Sequence, residues 1–183
     1  MQTGPFKNMT VNLGPISSNA DPPPPPNPQA NGFGWNPRCL RRDISNYLPT
    51  NYGTTAHIMA LIEDNDNIAD FQYVMQAVPP YGTMGVHGMG HYTIAGDPAG
   101  DFFNAAGDPA FFVHHAMVDR TWTIWQNLDP DKRLMAMEGA ATMVGGGVQK
   151  LDDVVDLEAV IGTKYKISDL LSTVNGPFCY AYE

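Results

Sequence analysis

The chain has 183 residues, 43% of them hydrophobic, which is enough for one domain with a real core. A formal charge of −9 argues against nucleic acid or an anionic membrane surface as the partner. No apolar run approaches the ~20 residues of a membrane span, and the N-terminus lacks the basic start and apolar core of a signal peptide.

Residues 1–50 are rich in Pro, Gly and Asn. The run Pro22–Pro26 favours extended polyproline and excludes helix, so this stretch is expected to wrap the domain as loop, with a short strand near Thr10–Leu13. Arg38, Arg41 and Arg42 could pair with surface carboxylates, a solvated basic patch being the default reading. Asn8-Met9-Thr10 is a glycosylation sequon. Residues 51–127 read as the helical region. Thr54 or Thr55 can cap a helix to about Glu63, and Asp66 can cap a second one through about Ala77, ended by Pro79, Pro80 and Gly82. His57 reads as an ordinary helix residue.

Four of the five histidines fall between residues 87 and 115. His87 and His91 are four apart on a short helix (about Gly85–Thr93), so both rings leave one face and can reach one ion. Gly88 and Gly90 interrupt that helix, each at ~1 kcal/mol relative to alanine, so a close approach by substrate or a neighbouring helix is expected to offset them. A glycine-rich crossover, Ala95–Gly107, leads to a second helix, about Pro109–Asn127, with Asp108 as cap and Pro109 at its first position. The run Phe111, His115, Asp119, Trp122 is the stripe of a buried helix face. Of the adjacent pair His114–His115, His115 is therefore the better third ligand, and His114 reads as a supporting or packing residue. Asp119 is placed to accept a ring N–H from a histidine and orient it. Three imidazoles suit copper, zinc or iron. Beyond Gln126 the expectations are a helical turn between Asp131 and Met137, a short helix capped by Ser168, and a terminal strand at Phe178–Tyr182, with 128–183 acting as connector and terminal strand.

The pattern H-x-x-x-H followed by D-P-x-F-x-x-H-H-x-x-x-D-R-x-W-x-x-W-Q resembles the copper B half-site of the tyrosinase and catechol oxidase family. GPFKNMTVNLGP, NPRCLRRD and LLSTVNGPFCYAY resemble the ascomycete tyrosinase-like enzymes, so the likeness covers nearly the whole chain. The resemblance implies a mainly α fold: half of a type-3 copper four-helix bundle with long Pro/Gly-rich loops and a few short strands, in one domain over 1–183. It implies that His87, His91 and His115 hold copper B, that Phe111 wedges their rings, and that His114 and the surroundings of Gly88 line the approach of a phenolic substrate and O2.

The family's centre holds two coppers with three histidines each, and this chain has five histidines in all. It is therefore expected to be a C-terminal half that needs a copper A half, either missing or on a partner chain. Two other readings stay open: a fragment with one metal or none, and a haemocyanin-like oxygen binder. In the family, monophenol hydroxylation goes with an Asn after the first copper B histidine and an upstream Glu. Those positions here correspond to Gly88 and Gln76, neither of which can act as a base, so oxidation of o-diphenols or o-aminophenols is expected instead. Cys39 and Cys179, in the family-like contexts NPRCL and GPFCY, are the candidate disulfide of a secreted parent enzyme, the alternative being two free thiols.

Overall fold

The computed structural model describes residues 3–76, 84–141, 145–160 and 162–183. The expected helix end at Ala77, Pro79, Pro80 and Gly82 lies outside them. The fold is mainly helical: α1 Tyr47–Tyr52, α2 Thr55–Glu63, α3 Ile68–Gln76, α4 Val86–Ile94, α5 Ala110–Leu128 and α6 Pro130–Arg133. Two small antiparallel ladders join β1 Thr10–Val11 to β2 Arg38–Cys39, and β3 Val154–Asp156 to β4 Lys164–Lys166. No helix of the described residues is long and apolar enough to cross a membrane. The chain divides into two compact units, residues 1–58 with 74–118, and residues 59–73 with 119–183.

In the first unit, the loop-rich N-terminal segment is clamped to the crossover between α4 and α5. The three buried carboxylates of that crossover do the clamping. Asp97 takes both Nε and Nη2 of Arg38, at 2.6 and 2.8 Å, and Asp108 takes both Nε and Nη2 of Arg42, at 2.8 and 2.7 Å. Asp101 accepts from the Ile16 and Ser17 backbone and from Ser17 Oγ. The basic cluster is thus not a solvated patch: the Arg38 side chain is 8% exposed, the Arg38 and Arg42 guanidinium groups each meet a carboxylate with matching fork geometry, and Arg41 donates to the Pro22 carbonyl. Asp108 has a second task. Its Oδ1 accepts the Ala110 N–H at 2.8 Å and its carbonyl accepts the Phe111 N–H, so it caps α5 as expected. Thr54 likewise caps α2, with Oγ1 against the His57 N–H and ring, which accounts for His57 without a metal. Helix α1 begins inside the stretch 1–50 expected to be loop and crosses its boundary.

In the second unit the core is Trp125. Its ring stacks on Phe71 at 4.6 Å, its Nε1 donates to the Asn65 carbonyl at 2.6 Å, and the Arg133 guanidinium lies 4.7 Å over its face. Beside it Gln126 donates to the carbonyls of Leu134 and Leu171. Helix α3 is capped by Asn67, whose Oδ1 accepts the Asp70 N–H at 3.0 Å, and not by Asp66, which pairs with Arg133. Residues Phe178–Tyr182 form no strand. The expected helix after Ser168 is a 3-10 turn over Ile167–Leu170.

Candidate metal centre

Helix α4 brings His87 and His91 onto one face, and the first turns of α5 bring Phe111, His114 and His115 against them, all within the first unit. His91 Nε2 lies 3.1 Å from His87 Nε2 and 3.1 Å from His115 Nε2. The other nitrogen of His87 points outward to a fixed partner: Nδ1 meets Gln76 Oε1 on α3. Phe111 stacks on His115 with centroids 4.1 Å apart and also contacts His91, so it wedges the rings as expected.

Both residues of the adjacent pair reach the cluster. Nitrogens of His87, His91 and His114 fall within 4.8 Å of one another, a triad that could hold an ion. His115 is a second candidate for the third position. Four ligands held tetrahedrally at about 2.0 Å have neighbouring nitrogens roughly 3.3 Å apart. The His91–His115 approach matches that distance, and His114 turns its Nε2 to the His87 backbone carbonyl at 2.8 Å. His114 therefore braces the His87 backbone. Gly90 makes that possible, since a Cβ there would fall inside the His114 ring. At Gly88 a Cβ would meet, among the described residues, only Met84 Sδ, at 3.6 Å.

Burial, and then the neighbouring imidazoles, push His87 and His91 down from the ordinary histidine value to about 4, and burial lowers His114 and His115 as well. All four rings are neutral at physiological pH, the form that binds a metal. The donor set, three neutral imidazole nitrogens, fits copper or zinc. Beside it opens a cleft of about 370 Å³, lined by Gln76, Gly88, Tyr92, Phe102 and Phe111 as well as by the histidines. Tyr92 and Phe102 were not foreseen. Tyr92 adjoins a ligand candidate, but Phe102 sits in a loop with no periodicity to read.

Other expectations come out differently. Asp119 orients no histidine in the structure: its Oδ2 accepts from the hydroxyls of Tyr180 at 2.8 Å and Tyr182 at 2.5 Å. These two residues are spaced like the outward side of a strand, which explains the strand expectation, but they close on a carboxylate and not on a sheet. Cys39 and Cys179 are both free and exposed. Cys39 is fixed by its ladder with Thr10 in the first unit and Cys179 by the terminal segment of the second. Asn8 is exposed in a turn, with φ 59°.

Residues 1–128 match the model of the common central domain of tyrosinase. The chain belongs to the tyrosinase family. Along all of its length it is 35% identical to tyrosinase P of Aspergillus terreus, covering 51% of that protein. Over 98% of its length it is 32% identical to the N-acetyl-6-hydroxytryptophan oxidase ivoB of Emericella nidulans, again covering 51%. A solved structure of a mutant polyphenol oxidase from Thermothelomyces thermophila superposes with a TM-score of 0.84 and 37% identity, covering all of this chain and 50% of that one. This tyrosinase-family chain thus spans about half the length of the relatives it matches, in keeping with the C-terminal half of a tyrosinase-like protein.

Proposed function

We propose that this chain supplies one copper site, held by His87, His91 and His115, of an oxidase that uses O2 to convert o-diphenols or o-aminophenols to the corresponding quinones. The observation that carries the reading is the approach of His91 Nε2 to within 3.1 Å of both His87 Nε2 and His115 Nε2 beside an open cleft. Copper, when bound, supplies O2 binding and the electron transfer. Two catechols give four electrons and four protons to one O2, leaving two o-quinones and two waters.

The chain's own residues hold and shape. Phe111 keeps the His115 ring in place, His114 braces the His87 backbone, and Gly88 leaves room for an aromatic ring between α4 and the Tyr92–Phe102 side of the cleft. Among the described residues the one carboxylate lining this cleft, Asp101, already accepts from the Ile16, Ser17 and Phe103 backbone and the Ser17 hydroxyl, and the two positions associated with monophenol hydroxylation carry Gly88 and the neutral amide of Gln76. Weak or absent turnover of monophenols is therefore part of the proposal. The second copper site belongs to a copper A half, and the nearly apolar groove of about 550 Å³ beside Gly90, His114 and Met117, with Val113 75% exposed at its rim, supports a partner of that kind. An exposed Asn8 sequon is consistent with a secreted parent enzyme.

Metal titration of the chain tests the ligand set. Binding of one copper, lost in His115→Ala and retained in His114→Ala, is expected; the opposite pattern would shift the site to His114. Combined with a copper A half, the assembly should consume O2 with catechol. Tyrosine oxidised as fast as its catechol would overturn the diphenol assignment, and oxygen binding without catechol turnover would favour a carrier.

A further inference from the structure

We infer that Gln76 is a positioning residue: its amide oxygen fixes His87 as the Nδ1–H tautomer and so presents the bare Nε2 of that ring to the metal. This rests on the metal reading above. Gln76 is the last residue of α3 and His87 the second of α4, and Oε1 of one contacts Nδ1 of the other. An amide oxygen only accepts, so Nδ1 must carry the proton, and a neutral imidazole has no second one for Nε2. The Nε2 lone pair of His87 is then directed at His91 Nε2, 3.1 Å away, and His115 Nε2 lies 3.1 Å from the same His91 atom, so the outward bond of His87 and the inward ligand geometry agree. The His114 bond to the His87 carbonyl fixes the backbone from which the ring swings. Which end of the Gln76 amide faces His87 decides the matter: an NH2 facing Nδ1 would reverse the tautomer and place an N–H toward His91.

The test uses the 183-residue chain, 15N-labelled on histidine and free of metal, with long-range 1H–15N correlations of the His87 ring at neutral pH. The expected result is the Nδ1–H tautomer in the wild type, a mixture or the reverse in Gln76→Met, which keeps the length but cannot accept in the same way, and restoration in Gln76→Glu, which can. In competition with a chromophoric chelator, Zn2+ affinity should fall about 10–100-fold in Q76M and stay near wild type in Q76E. An Nε2–H tautomer in the wild type overturns the inference even if Q76M fails to fold, and so does a folded Q76M with unchanged tautomer and affinity. A wild type with the expected tautomer but no affinity for Zn2+ would sink the metal reading while leaving the hold of Gln76 on His87 intact.

Discussion

Gly88 and Gly90 sit two residues apart on one short helix, and the sequence treats them alike. The structure separates them. Gly90 is a contact residue, since its missing Cβ is where the His114 ring packs. At Gly88, among the described residues, only Met84 Sδ comes within 4 Å of a Cβ. Gly90→Ala should therefore cost about 1–3 kcal/mol by overpacking. Gly88→Ala should be neutral, or stabilise by up to about 1 kcal/mol through helix propensity. Urea midpoints of the two variants would check this, and a G90A variant as stable as G88A would show that His114 does not pack against α4. The general point about both glycines, that something must offset them in a helix interior, was legible. Which one served packing and which one space was not, because that depends on a ring from another helix. The preference for His115 over His114 came from one helix alone, and the structure brings both rings to the cluster.

At the scale of elements, what the sequence carries locally came through. The cap at Asp108 and the break before it rest on neighbours a few residues apart, whereas the expected stripe Phe111, His115, Asp119, Trp122 is only half-buried and the buried residues of α5 are Thr121, Trp125 and Gln126. What required pairing across the chain did not. Arg38 and Asp97 are 59 residues apart, and nothing local says that a basic cluster in a proline-rich stretch will meet the acids of a later loop. The β3–β4 ladder is missed for another reason: strands of three residues, with Asp156 set across from Lys164, offer too little alternation to read. The one-residue error in the α3 cap arises because Asp66 and Asn67 have equivalent capping chemistry. The clamp makes its own prediction. Asp97→Ala leaves the 8%-exposed Arg38 without its carboxylate and should destabilise the first unit by about 3–5 kcal/mol. Asp108→Ala removes both the Arg42 pair and the α5 cap, the latter alone being worth about 1 kcal/mol. Hydrogen exchange should show the first turn of α5 losing protection in D108A and keeping it in D97A; equal loss in both would mean that the clamp and the cap are not separable.

For the molecule as a whole, the family places the chemistry and the residues set its conditions. Far from the histidines in sequence, the chain ends on two tyrosines that share one carboxylate. Burial and the Asp119 hydrogen bond push Tyr180 up to about 12, and the same causes raise Tyr182 further. The sign follows from the donor. Each hydroxyl donates to Asp119 only while protonated, so the folded form holds its protons above the unfolded value of about 10. The stabilisation is complete below about pH 10, fades as pH climbs from there, and for Tyr180 is gone above about 12. Removing the hydroxyls with Y180F and Y182F should therefore lower the urea midpoint of the second unit at pH 8, and the gap from wild type should narrow as pH is raised from 10 toward 12. A chain already at −9 gains further negative charge over that range, but this acts on wild type and variants alike and leaves the narrowing as the signal. A gap that stays constant from pH 8 to 12 would mean the tyrosines hold the terminal segment by packing alone, and that the Asp119 hydrogen bonds contribute nothing to its stability.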